Sequence, residues 1–266
     1  MIYLDNAATT FPKPSSVTDE VIKCMTTYCG NPGRSGHTLS LAAAKKVFEC
    51  RELAANMFGA ADTDRVFFTP NTTYGINAVI KGLLRNGDHV IISDMEHNAV
   101  LRPIHKLANE GVIEYDVFKT LTGEARQSPI RICANIAKLV KNNTKMVICT
   151  HSSNICSVVF PIKEIGDFCH RHGILFVIDG AQSAGLLDIN VEDMIIDALC
   201  LPGHKGLYGP QGSGIVILGK TTTLNTLVEG GNGIDSLSPE MSTSSPSWKN
   251  NSFKILKPCT SREFSF

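Results

Sequence analysis

Residues 145–150 read KMVICT and residues 174–179 read ILFVID, with PIKEIGDFCHRHG (161–173) between them. Both flanking runs are continuously apolar and rich in β-branched residues, so each is predicted as a strand buried on both faces. The segment between them is predicted as a helix. Strand, helix and strand in that order point to an α/β fold, a mostly parallel, doubly wound sheet covered by helices.

The same alternation continues outward. Upstream, RVFFT (65–69), HVIIS (89–93) and VIEYDVF (112–118) read as strands. They are separated by helical stretches, TTYGINAVIKGLLRNG ending at Gly87 and a second running to Asn109 with Gly111 as its stop. PIRICANIAKLVKNN (129–143) is predicted as a helix, and DALCL (197–201) and GIVIL (214–218) complete the strands. Nearer the N-terminus, Ser15 or Ser16 is placed to cap a helix running toward Cys29, with Asp19 in its first turns. Another helix runs from about Thr38 to Met57 and stops at Gly59. From Ser242 the pattern breaks: the last 25 residues hold seven Ser and four basic residues against one acidic, and read as a loop or disordered tail.

Composition narrows the class. The chain has 266 residues, 25 Lys+Arg against 25 Asp+Glu, and 43% hydrophobic residues. That is ordinary globular composition, and the charge balance argues against nucleic-acid binding and a polybasic membrane anchor. No apolar run approaches the roughly 20 residues of a membrane span. The opening MIYLDNAATT does not read as a signal peptide. Nine cysteines, an odd number without CxxC pairs, suggest reduced thiols and a cytoplasmic location.

Ligands of open α/β sheets bind beyond the carboxyl ends of the strands. After RVFFT come Asn71, Thr72 and Thr73, which open a helix where backbone N–H groups suit a phosphate; taken alone, plain capping explains them better. His97 follows HVIIS, Asn154 follows KMVICT, and Asp179 with Gln182 follows ILFV. A carboxylate ending an apolar strand needs a cation or several donors, or else lies in solvent. Beyond DALCL, Lys205 sits among glycines in PGHKGLYGPQG, as a solvated loop charge or as a desolvated amine. An anion site, an imidazole, an amide, an acid and a lysine on one rim match the needs of pyridoxal 5′-phosphate. That cofactor requires a Schiff-base lysine, a carboxylate for the pyridine nitrogen and a phosphate cradle.

Two other strings carry less. GIVILGKT (214–221) fits the letters of a phosphate-binding P-loop, but its central Ile-Val-Ile-Leu is itself a strand. Cys149, His151 and Cys156, or Cys169, His170 and His172, fit no zinc spacing, so no metal site is expected.

Seven segments together carry a specific resemblance: YLDNAATTFPKP (3–14), NPGRSGHTLS (31–40), TTYGIN (72–77), EHNAVLRP (96–103), SSN (152–154), IDGAQSAG (178–185) and GHKGLYGPQGSG (203–214). The sequence resembles the class V aminotransferase group of fold-type I pyridoxal-phosphate enzymes, most of all the cysteine desulfurase/selenocysteine lyase family. The likeness covers residues 1 to about 241. It implies Lys205 as the Schiff-base lysine, Asp179 as partner of the pyridine nitrogen, and His97 stacked on the ring and active in proton transfer. It further implies Asn154 and Gln182 at the ring oxygen, Thr72, Thr73 and His204 at the phosphate, and Asn6, Ala7 and Ala8 near an amino acid substrate. Gly230-Gly231 resembles a segment that reaches the neighbouring subunit, implying a homodimer, and a sulfur-accepting protein is the implied partner.

The resemblance also divides the chain into an N-terminal substrate-side segment (1–15), a cofactor-binding large domain (16–241) and a divergent tail (242–266). Three departures stand out. Pro202 replaces a hydroxyl residue and Asn232 replaces a Thr. The resemblance implies a C-terminal small domain carrying a substrate-binding arginine and a nucleophilic cysteine, expected to be missing here as a truncation or a shifted reading frame would leave it. The expected activity is sulfur transfer from L-cysteine, giving L-alanine, with turnover by this chain in question. Two alternatives stay open: a non-catalytic remnant or partner subunit that binds the cofactor, and a lyase or aminotransferase acting on another amino acid.

Overall fold

Seven strands form one sheet in the order β1-β7-β6-β5-β4-β2-β3 in the computed structural model, which describes residues 2–32, 36–225 and 227. They are β1 (Val66–Thr69), β2 (Asp88–Ser93), β3 (Ile113–Phe118), β4 (Thr144–Thr150), β5 (Leu175–Asp179), β6 (Ala198–Pro202) and β7 (Gly214–Leu218). The β3-β2-β4-β5-β6 block is parallel throughout, as the continuous apolar runs of β2, β4, β5 and β6 require. β7 is the exception. It lies antiparallel to both β6 and β1, although its run is as apolar as theirs and every residue is buried. Burial on two faces sets the run of apolar residues; the short 203–213 return from β6 sets the direction.

Helices cover both faces, as a doubly wound sheet demands. On one face α3 (Thr72–Leu83) and α4 (Asn98–Asn109) pack Ile76, Val79, Ile80, Val100 and Ile104 against Val90, Ile92, Met146 and Ile148. On the other, α2 (Thr38–Phe58), α5 (Pro129–Ala137) and α6 (Ile162–Arg171) close over Ile91, Val147, Phe176 and Ile178. Adjacent residues of one strand thus feed two separate cores, which is why no polar alternation is visible in the sequence.

Several boundaries differ from the sequence reading. α1 (Ser15–Lys23) is capped by Pro14, with Ser15 already inside it, and its continuation to Tyr28 is a π turn. α3 stops at Leu83, not Gly87, because Leu84 turns extended and leads the chain toward β2. α5 stops at Ala137, six residues before Asn143, where Lys138 to Asn143 are needed to reach the start of β4. The string GIVIL is strand β7 end to end, so the P-loop letters have no loop to wrap phosphate. The 242–266 tail and Gly230-Gly231 lie outside the described residues.

Candidate active site

The strand register builds the floor of a cleft. Asp179, the last residue of β5, pairs with Thr150 at the end of β4 and with Cys200 on β6. The chain leaves β2 for α4 on one face and β4 for α6 on the other, so a crevice opens where the winding reverses. A cleft of about 420 Å³ lies there, lined by residues that follow β1, β2, β4, β5 and β6 and by the N-terminal segment.

Of the residues singled out in the sequence, Lys205, His97, Thr72, Thr73, Asn154, Asp179, Gln182, His204, Ala7 and Ala8 all line this one cleft. Asn6 does not line it. Its Oδ1 accepts from the backbone N–H of Phe11 at 3.2 Å and so shapes the turn that carries Ala7 and Ala8, while Asp5 takes a place in the wall.

The anion-facing end is the start of α3. Asn71 caps it, accepting from Tyr74 N at 2.8 Å, so the capping role weighed in the sequence is present. The cap leaves the first-turn amides of Thr72 and Thr73 without intrahelical acceptors at the positive end of the helix dipole. His97 likewise caps α4, its Nδ1 accepting from Ala99 N at 3.1 Å. That bond puts the ring proton of neutral His97 on Nε2.

Burial sets the electrostatics. Asp179 is 2% exposed, and burial pushes its carboxyl up, opposed by the Ala181 N–H (2.9 Å) and by the charges of His97 and Lys205. Burial lowers the Lys205 amine, while Asp179 pulls it back toward the charged form. Burial, helped by Lys205 and Lys13, also lowers His204. The Nδ1 of His204 is buried with no hydrogen-bond partner among the described residues, which costs about 1–3 kcal/mol until an acceptor or donor meets it.

Two glycines let this loop form. Gly185 has φ +80°, and a Cβ there would sit 2.5 Å from the Gly206 carbonyl oxygen. A Cβ on Gly206 would lie 2.2 Å from the Ala184 oxygen, so the turns after β5 and β6 touch backbone to backbone beside Lys205.

The sequence reading gave Glu96 no role. It is buried, accepting from Thr150 N at 2.8 Å and from the Ser93 hydroxyl, and burial pushes its pKa up to about 8. Its second oxygen has no partner among the described residues. Thr150 and Ser152 also line the cleft and were not singled out. The signal used for Asp179, a carboxylate ending an apolar strand, does not find Glu96, which lies three residues beyond the end of β2.

The inventory fits pyridoxal 5′-phosphate. An amine of lowered pKa and a buried carboxylate share one cleft, an unpartnered imidazole nitrogen lies beside them, and a helix N-terminus with two threonines forms the anion end.

Known proteins share the sequence pattern and the fold. A probable cysteine desulfurase of Methanothermobacter thermautotrophicus is 36% identical over 216 residues, 81% of this chain and 52% of that protein. The apo structure of a cysteine desulfurase from Thermococcus onnurineus superposes with a TM-score of 0.81 at 28% identity, over 96% of this chain and 62% of that one. The structure described as SspA in complex with cysteine gives 0.78 at 30% identity, over 87% and 66%. The chain spans about half the length of the curated relatives it matches. The aminotransferase class-V family model matches residues 2–255, past the Met241 limit of the recognised motifs. A match of that extent, on a fold that its likenesses share, shows that this chain belongs to the class V aminotransferase family and is cysteine desulfurase-like.

Proposed function

We propose that this chain binds pyridoxal 5′-phosphate in the cleft and carries the cofactor half of a cysteine desulfurase. The carrying observation is that Lys205 and Asp179, an amine of lowered pKa and a buried carboxylate, face one cleft whose far end is a helix N-terminus. When bound, the cofactor supplies an electron sink for the Cα of an amino acid. Lys205 would hold it through its amine. Asp179 would keep the pyridine nitrogen protonated, and a buried carboxylate is the partner such a proton needs. Thr72, Thr73 and His204 would hold the phosphate. Asn154 and Gln182 would meet the ring oxygen. His97 would lie over the ring and hold or release a proton at Nε2. Ala7 and Ala8 would line the substrate side.

The family likeness supports L-cysteine as substrate. In that reaction the C–S bond breaks, sulfur passes to an acceptor thiol, and the carbon skeleton takes up a proton as L-alanine. The proposal includes a homodimer in the cytoplasm that serves a sulfur-accepting protein. The structure described as SspA holds cysteine, which favours that substrate class.

A second reading, cofactor binding without turnover, draws support from the cleft wall. Among the described residues no cysteine lines it; Cys156 is exposed on the adjoining 151–160 segment. A lyase or aminotransferase acting on another amino acid shares the same cofactor groups.

Addition of pyridoxal phosphate to the 266-residue chain is expected to give the visible absorbance of a lysine-bound pyridoxal, and Lys205→Ala is expected to abolish it. No band in the wild type, or an unchanged band in Lys205→Ala, overturns the site. Sulfide release from L-cysteine is expected to be small, and rapid release would overturn the second reading.

A further inference from the structure

Lys205 is presented by a short loop, and most of what fixes that loop comes from the other end of the chain. The backbone carbonyl of His204 accepts four donors from the N-terminal segment: Thr10 N, Thr9 Oγ1 and Thr10 Oγ1, each at 3.1 Å, and Lys13 Nζ at 2.9 Å. Lys13 Nζ also donates to Thr10 Oγ1 at 2.8 Å. With its lone pair engaged by the ammonium, the Thr10 hydroxyl proton is directed at the carbonyls of His204 and Lys205, both 3.1 Å away. The Lys205 carbonyl is completed by Tyr208 N at 2.8 Å. Gln182 Nε2 donates to the Ala7 carbonyl at 3.0 Å, so the same segment is tied to the loops after β5 and after β6.

Charge explains why this arrangement needs a lysine. One carbonyl oxygen has two lone pairs, and four neutral donors crowding it compete. An ammonium gains more from the same oxygen, because a charged hydrogen bond is roughly twice as strong as a neutral one. Linked donors also polarise one another, so the ammonium strengthens the hydroxyl bonds it feeds. Lys13 is half-buried against the loop and lies in no ion pair among the described residues. Its ammonium therefore faces the His204 carbonyl, with no competing carboxylate to draw it away.

We propose that Lys13, acting with Thr10, is a positioning residue for Lys205: the pair clamps the His204 and Lys205 carbonyls and so fixes the backbone from which the reactive amine is presented. The inference rests on the reading of Lys205 as the cofactor lysine. Its own content is that the clamp governs condensation at the amine and leaves the phosphate end, built by α3, untouched.

The test compares pyridoxal phosphate with pyridoxamine phosphate, which occupies the same site but has no aldehyde to condense. Condensation is followed by visible absorbance and by borohydride trapping, with the modified Lys205 peptide quantified by mass spectrometry. Affinity for pyridoxamine phosphate is followed by quenching of protein fluorescence. In the full chain, Lys13→Met and Thr10→Val are each expected to lower the condensation constant about tenfold while pyridoxamine phosphate binds within about twofold of wild type. Lys13→Arg, which retains the charge, is expected to restore most of the loss. Condensation in Lys13→Met equal to wild type overturns the clamp. So does an equal loss of both ligands, which would mark a general loosening of the fold. Absence of condensation in the wild type would instead overturn the assignment of Lys205, a distinguishable failure.

Discussion

The cleft has a floor and a strap, and they are held by different physics. The floor is the carboxyl ends of β4, β5 and β6, where Thr150, Asp179 and Cys200 stand in register between two apolar cores. The strap, residues 5–13, has exposed Ala7, Ala8 and Phe11 and is held by point hydrogen bonds to the carbonyls of His204 and Lys205. The floor can tolerate buried Asp179 and Glu96 because the sheet around them is rigid and dense. The strap has no core of its own, so its placement depends on individual donors. The proposed chemistry at Lys205 would need both: a floor to perturb charges and a strap to aim the amine.

The largest effect is expected where floor and loop meet. Gly206→Ala puts a Cβ 2.2 Å from the Ala184 oxygen, a backbone atom that cannot swing away. Overpacking of that kind costs roughly 1–3 kcal/mol, read by urea unfolding, and should remove the pyridoxal absorbance as well. A variant as stable as wild type would mean that the two turns are not locked together.

The next effect isolates the floor by pH. Glu96 has a folded pKa of about 8 against an ordinary 4.5, so it binds more protons when folded. Its contribution is fully present below pH 4.5 and is lost as pH rises through 8. His151, buried and neutral with a pKa of about 4 against 6.5, acts oppositely: its contribution is present above pH 6.5 and lost as pH falls through 4. Across pH 6.5 to 8, therefore, Glu96 loses its contribution while that of His151 is fully present. Wild-type stability should fall there by about 2 kcal/mol, and Glu96→Gln should flatten the fall. Parallel slopes in the two proteins would place the titration elsewhere.

The smallest effect tests the strap away from the clamp. Tyr3 donates from its half-buried ring to the carbonyls of Asp5 and Thr9, and Tyr3→Phe should change stability by no more than about 0.5 kcal/mol. A larger loss would show that the strap folds as a unit rather than hanging on Thr10 and Lys13.

The floor was legible in the residue pattern, whereas the strap was legible only through its family resemblance, for one reason. Strands buried on both faces must be apolar at every position, so KMVICT and ILFVID announce themselves, and Asp179 stands out as the polar residue that ends one. Lys13 sits in FPKP with no periodicity; besides Thr10 three residues back, its ammonium reaches the His204 carbonyl 191 positions away. Glu96 was quoted inside EHNAVLRP, yet its burial depends on β4 closing over it. Asn6 was expected at the substrate side and instead braces the turn.

Local patterning therefore determined the strands, most helix starts and the rim on which the candidate groups stand, because burial constrains each residue independently of its distant partners. Tertiary structure alone decided that β7 runs antiparallel, where α3 and α5 stop, that Glu96 carries a raised pKa, and that Thr10 and Lys13 hold the carbonyls of His204 and Lys205. Each of these depends on atoms that the fold, and not the chain order, brings within reach.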